Sequence, residues 1–215
     1  MLAESPIPLM SSILILVATY LIGTLPTAWI VVRRRGEDIR EVGSGSVGAM
    51  NTFGVTKSKR TFLLVFVIDL LKGVVAVLCA RFLAGETTIA IDAVGMLGVV
   101  LGHNFNIWLS LPGRRIAGGK GLAAALGSLS MSMYWLIPVW AGGFLAGFFL
   151  YKMIWGVGKI APGTSLATLV MPVAAYSLYG TTTSVIMSLS VLAIVVKHVA
   201  ELKELLSAER NKIGS

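Results

Sequence analysis

The sequence predicts an all-α integral membrane protein with seven transmembrane helices, its N-terminus outside and its C-terminus cytoplasmic. Three observations carry that expectation. Of 215 residues, 56% are hydrophobic and 13% charged, and the mean hydropathy is +0.85; a soluble domain carries roughly 25% charged residues. The apolar runs are long and lack the alternation of barrel strands. Of the 18 Lys and Arg, all but Lys72 and Arg81 fall where an inner face would lie, the bias that membrane insertion imposes. The net charge of +8 is assigned to that bias rather than to nucleic-acid binding. The chain is read as one transmembrane domain, residues 1–215.

Ser11–Val32 is the first span, stopped by Arg33-Arg34-Arg35 and kinked by Pro26. Met1–Met10 has no positive n-region, so this helix is expected to stay in the mature protein. Gly36–Arg60 is a polar loop too glycine-rich for one continuous helix. Thr61–Ala84 is the second span. Its Asp69 and Lys72 share a helix face, either as a structural ion pair or in contact with substrate. Gly85-Glu86 turns the chain outside. Thr87–Ser110 is the third span, with Asp92 near its outer end and His103 near its inner end. Leu111–Gly121 is a second basic, glycine-rich loop.

Leu122–Met153 is long for one span and short for two. Arg114, Arg115 and Lys120 precede it and Lys152 and Lys159 follow it, so it must cross twice if both flanks are inside. Two short or partly re-entrant helices are expected, turning near Ser130–Met133, the first starting on Lys120-Gly121. Tyr151–Gly163 is a third inner loop, Thr164–Tyr179 the sixth span, Gly180–Thr183 an outer turn and Ser184–Val196 the seventh span. Lys197–Ser215 is a charged tail of helical character. The lone cysteine, Cys79, lies in an apolar run and is expected to pack as a small apolar side chain. The five tryptophans are expected mostly to be interface anchors.

Gly43–Asn51 reads Gly-Ser-Gly-Ser-Val-Gly-Ala-Met-Asn between clusters of cations. Glycines let successive N–H groups point one way, and cations add attraction for an anion. Arg114–Gly121 repeats that chemistry. The two loops are expected to meet on one face of the membrane and bind phosphate, an assignment preferred over helix packing for Gly43, Gly45 and Gly48. Lys120 at a helix start opposes the helix dipole unless an anion lies nearby. His103 is either a capping or a site residue, and on spacing alone His198 is structural.

Other chemistries fit less well. The two histidines are far apart in sequence and neither has a carboxylate or Cys cluster beside it, which argues against a metal site. No metal or cofactor is expected. Gly119-Lys120 is followed by Gly121, and Arg114 stands where a Walker loop needs glycine. The His-x-x-x-x-Asp box of many acyltransferases is absent, with Trp108 and Lys203 at the positions an Asp would take. No Ser-His-Asp set can be argued. What remains is a set of donors without a base, suited to positioning and charge stabilisation.

At this point the chain resembles a known family, the bacterial glycerol-3-phosphate acyltransferases that use acyl phosphate as donor. Tyr20-Leu-Ile-Gly-Thr24 and Val42–Asn51 look like that family's first-span entry and first motif. Asp69-Leu-Leu-Lys-Gly73 is similar to its second-span signature. Gly102-His103 followed by Gly118-Gly-Lys-Gly121 resembles its second loop, and Ser165-Leu-Ala167 its third. The resemblance covers nearly the whole chain. It implies acyl transfer from acyl phosphate to glycerol 3-phosphate at the cytoplasmic face of the cell membrane. The product is lysophosphatidic acid for phospholipid synthesis, formed without a covalent acyl-enzyme.

The resemblance also implies roles. Ser44, Lys120, His103 and His198 are the expected catalytic residues. Gly43, Gly45, Ser46, Gly48, Asn51, Gly118, Gly119, Gly121 and Ser165 are the expected binders of substrate phosphate. Departures from the pattern mark a divergent member: Ser46 for Asn, Met50 for Thr, Gly54 for Arg, Asn106 for Pro, Ala124 for Thr, and Val199 and Glu201 for Arg and Asn. Lys57, Lys59 or Arg60 could supply the cation missing at Gly54. Two other classes remain: a transporter of a small phosphate metabolite, and a non-catalytic relative that binds lipid.

Overall fold

The computed structural model describes residues 8–113, 116–156 and 160–213. The expectations for the extreme N-terminus, Arg114, Arg115, Lys159 and the tail's side chains lie outside what is described. The described residues form helices and connecting turns, without strands. In order these are α1 (Leu9–Gly23), α2 (Thr27–Arg33), α3 (Ala49–Thr56), α4 (Lys59–Ala84) and α5 (Ile89–Asn104). They continue as α6 (Ile107–Gly113), α7 (Leu122–Ser132), α8 (Leu136–Trp155), α9 (Ile160–Tyr179) and α10 (Thr181–Ile213). Six stretches are long and apolar enough to cross a membrane: Leu9–Arg33, Lys59–Ala84, Ile89–Leu111, Leu136–Trp155, Ile160–Tyr179 and Thr181–Val199. Leu122–Ser132 is apolar but shorter.

The chain forms two compact units, Met1–Met133 and Tyr134–Ser215. In the first, α1 packs on α5, and α4 packs on α7, α5 and α1. These contacts are close because glycines face backbone. A Cβ on Gly102 would fall on the Tyr20 carbonyl, and one on Gly127 would fall on that of Leu70. Small residues let membrane helices approach until dispersion and backbone contact hold them, where lipid supplies no hydrophobic drive.

Pro26 has no N–H to donate, and the first span breaks between α1 and α2. The break is held by the link between α5 and α6. Asn106 Nδ2 donates to the Thr24 carbonyl (2.6 Å), Trp108 Nε1 to Thr24 Oγ1 (2.9 Å) and Tyr20 OH to the Phe105 carbonyl (2.8 Å). Trp108, expected as an anchor, is therefore also a clasp. The third span likewise bends at Phe105-Asn106.

At the end opposite the glycine-rich loops, Arg81 on α4 binds Asp92 on α5 in two-pronged fashion (2.9 and 2.7 Å). Ser132 at the end of α7 also donates to Asp92. Asp92 is wholly buried, so three helices are tied at one fully paired charge. α7 covers the distance from the second glycine loop to this tie with a rise of only about 16 Å.

In the second unit α9 packs against both α8 and α10. Here the expected boundaries need correction. The third inner loop is mostly helix: α8 runs to Trp155 and α9 starts at Ile160. Pro162 is tolerated because a helix's first turn has no partner for its N–H. Gly163 is there because a Cβ would meet the Phe144 ring. The outer turn shrinks to Gly180, whose φ of +88° reverses the chain alone. The charged tail continues the last span as one helix to Ile213.

Candidate active site

The first loop is built around Asn51, in the first turn of α3. Its Oδ1 accepts the Ser44 N–H (3.0 Å), and its Nδ2 faces the carbonyls of Ile39 (3.2 Å), Val42 (3.1 Å) and Ser46 (3.0 Å). One buried amide thus gathers residues 39–46 around itself. Gly43 permits this with φ +61°, and a Cβ there would fall on Asn51 Oδ1. Asn51 thus holds the loop together.

Several loop amides are spent too: Gly45 N–H on Val42, Gly48 N–H on Ser46 and Val47 N–H on Gly118 (3.1 Å). Arg40 fastens the loop from below, with Nη2 2.6 Å from Asp38 Oδ2 and Nη1 donating to the Leu109 carbonyl (2.9 Å). The Arg40 guanidinium, by hydrogen bond first, holds the Asp38 carboxyl far below the usual carboxylate range and is itself raised in return.

The Val47–Gly118 bond joins the two glycine-rich loops. Gly119 N–H donates to the His103 carbonyl (3.0 Å) and Asn106 N–H to that of Ala117 (2.9 Å), so the second loop is also pinned to the end of α5. Two helices start beside this junction, each without a side-chain cap: α3 from Gly48 and α7 from Gly121. Gly121 takes φ +78° to begin α7. The first amides of a helix have no partner inside it, and they carry the positive end of its dipole. Lys120 sits half-buried between Gly119 and Gly121, while Ser44 is exposed and Ser46 half-buried. Gly54 faces open space on α3.

Behind the junction is a buried charge cluster. Lys72 Nζ lies 2.7 Å from Asp69 Oδ1, donates to the Leu25 carbonyl (2.8 Å) and reaches His103 Nδ1 (3.5 Å). Asp69 is 2% exposed, Lys72 5% and His103 8%. Leu25 is available to Lys72 because Pro26 breaks the helix there. The cluster lines a cavity of about 10 Å³ with Thr27, Val47 and Asn106, room for about one water. The Thr27 hydroxyl is buried against it and has no partner among the described residues. Lys72 also ends an apolar groove of about 520 Å³ lined by Leu21, Leu25, Ile68, Leu71, Val75 and Trp108. From Lys59 to Lys72 the rise along α4 is about 20 Å, so the cluster lies deep within that span.

The other two expected site residues lie in the second unit. His198 is 2% exposed and clasps α10 to α9: Nδ1 lies 2.9 Å from the Ile194 carbonyl and Nε2 3.3 Å from Thr164 Oγ1. Ser165 Oγ is buried with no partner among the described residues. Among the described residues no three His, Cys, Asp or Glu side chains gather as metal ligands would. The sequence reading missed Thr27 and the contact of Lys72 with His103. It named all three members of the cluster but had no pattern linking the two spans.

A family model described as glycerol-3-phosphate acyltransferase matches residues 13–208. The glycerol-3-phosphate acyltransferase of Mesorhizobium japonicum is 33% identical over 204 residues, 94% of this chain and 96% of that one. That of Ehrlichia canis is 31% identical, over 93% and 97%. Among solved structures, PlsY (YgiH), an integral membrane glycerol 3-phosphate acyltransferase, matches in its glycerol 3-phosphate form with TM-score 0.71 at 24% identity, covering 93% of this chain and 94% of that one. Its lysophosphatidic acid form matches with TM-score 0.69 at 23% identity, over 93% of each chain.

Proposed function

The chain belongs to the glycerol-3-phosphate acyltransferase family, and on that footing we propose that it moves a fatty acyl group from acyl phosphate to glycerol 3-phosphate. It is a multi-pass membrane protein. In this reading it crosses the cell membrane seven times, α7 being the short crossing, with the N-terminus outside and the joined loops at the cytoplasmic face. The charge bias of the loops supports that orientation.

The reaction balances without a protein base. The acceptor hydroxyl oxygen attacks the acyl carbon, the acyl–phosphate C–O bond breaks, and the hydroxyl proton leaves on a substrate phosphate oxygen. The products are lysophosphatidic acid and inorganic phosphate. Charge grows on the leaving phosphate, so fixed donors aimed at it do most of the work. Those donors are the uncapped starts of α3 and α7 with the Lys120 ammonium. Ser44 and Ser46 add hydroxyls, and Gly118, Gly119 and Gly121 let the backbone come close. Gly43, Gly45, Gly48 and Asn51 shape the loop. His103 faces the acceptor. His198 holds α10 to α9 within the second unit, where Ser165 also lies.

The acyl chain takes the apolar groove beside α4. A short α7 and a groove that reaches Lys72, about 20 Å along α4, let the acyl carbonyl be reached without lifting the chain out of lipid.

The observation that supports this reading is the Val47–Gly118 hydrogen bond, which fastens two distant loops together. Purified protein given palmitoyl phosphate and glycerol 3-phosphate should form lysophosphatidic acid, with phosphate released only when the acceptor is present. Lys120→Ala should abolish both. Flux of glycerol 3-phosphate without turnover would instead make the chain a transporter, and lipid binding with neither would make it a non-catalytic relative.

A further inference from the structure

The cluster of Asp69, Lys72 and His103 is buried in the span and lies behind the loops. Its geometry sets the proton on His103. An ammonium has three N–H groups and accepts nothing. Lys72 has three acceptors around it: Asp69 Oδ1 (2.7 Å), the Leu25 carbonyl (2.8 Å) and His103 Nδ1 (3.5 Å). Asp69 Oδ1 is 4.0 Å from Nδ1, beyond hydrogen-bond reach, whereas the ammonium is 3.5 Å away, so Nδ1 accepts and the ring proton belongs on Nε2. Nε2 is the nitrogen that faces the second glycine loop: a methyl built on Gly119 would fall on it.

We infer that the Asp69–Lys72 pair is a positioning device, which holds His103 as the Nε2–H tautomer so that it presents a hydrogen-bond donor to the phosphate-binding loops. Buried, ion-paired with Asp69 and bonded to the Leu25 carbonyl, Lys72 acts through His103 rather than on substrate. Asp69 keeps the ammonium in place, and the Pro26 break supplies the third acceptor. A histidine fixed this way donates; it does not take the acceptor's proton. This inference rests on the acyl-transfer reading for what the donor serves, while the tautomer stands on geometry alone.

The chain's two histidines make the test direct. Protein labelled with nitrogen-15 histidine, held in lipid nanodiscs, is read by NMR, with His103→Gln used to assign the signals. Wild type should show His103 protonated on Nε2 and bare on Nδ1. Lys72→Met alone strands a buried carboxylate and would misfold for that reason, so Asp69→Asn/Lys72→Met removes both charges together. That double variant should keep its melting temperature near wild type, lose the fixed tautomer and lose turnover by about tenfold, the worth of one well-placed hydrogen bond. KM for glycerol 3-phosphate should move less than kcat. A His103 protonated on Nδ1 in wild type, or a folded double variant that turns over as wild type does, overturns the inference. A wild type with the Nε2–H tautomer but no acyl transfer leaves the tautomer standing and overturns both the role given to it and the functional reading.

Discussion

Replacing Asn51 by alanine separates a residue that builds the loop from one that touches ligand. The amide accepts the Ser44 N–H, and its two N–H groups are shared among the carbonyls of Ile39, Val42 and Ser46. Alanine therefore removes about three hydrogen bonds at about 1 kcal/mol each, or about 3 kcal/mol of local stability. That corresponds to about a hundredfold easier opening of the loop. α4, α5 and α7 are tied elsewhere, so the effect should stay local.

Hydrogen exchange followed by mass spectrometry in detergent reads this at peptides covering 42–47. Exchange there should rise by about two decades while α4 and α5 are unchanged, and KM for glycerol 3-phosphate should rise with it. Unchanged exchange together with lost substrate binding would refute the reasoning, because Asn51 would then be a direct ligand. Unchanged exchange with unchanged activity would refute it as well.

Gly119→Ala places a methyl on His103 Nε2 and 2.6 Å from the Val47 carbonyl. Acyl transfer should fall by more than about tenfold, measured beside a melting curve that shows the helices intact. Arg81→Ala leaves the wholly buried Asp92 without its cation and should cost about 3–5 kcal/mol in thermal or denaturant unfolding. Arg81→Met/Asp92→Leu removes both charges and should recover most of that loss and keep turnover, because this tie serves packing only. The depressed Asp38 carboxyl stabilises the folded loop at every pH above its ordinary value near 3.8. Its contribution to the first loop's exchange protection should thus be flat from about pH 8 to pH 5 and fade only as acid protonates Asp38 below the ordinary carboxylate range. Asp38→Asn should remove it throughout that window.

The membrane class and the order of the helices were legible because hydropathy and charge bias act residue by residue along the chain. The split of Leu122–Met153 was legible for the same reason. Cations at both ends demanded two helices, and α7 ends at Ser132, inside the expected turn. Where the sequence misled, a local signal carried two meanings. Pro162-Gly163 reads as a loop, yet Pro fits a helix's first turn and Gly a tight contact with Phe144.

The meeting of the two glycine loops could be argued from shared chemistry, but the bond that joins them is between backbones and leaves no trace in side chains. The part Asn51 plays in gathering the loop was not legible, because the same amide can also bind an anion. Asp69 and Lys72 announced themselves by sharing a helix face. Their link to His103 joins different spans, which no periodicity encodes, although the kink at Pro26 that frees the Leu25 carbonyl for Lys72 was expected.

The most direct measurement is amide exchange on the purified protein in nanodiscs, with and without glycerol 3-phosphate and, separately, inorganic phosphate. Both should protect the backbone at the starts of α3 and α7, peptides 46–52 and 118–124, and Lys120→Ala should weaken that protection. Protection confined to other segments, or none at saturating ligand, would mean that the joined loops do not bind phosphate.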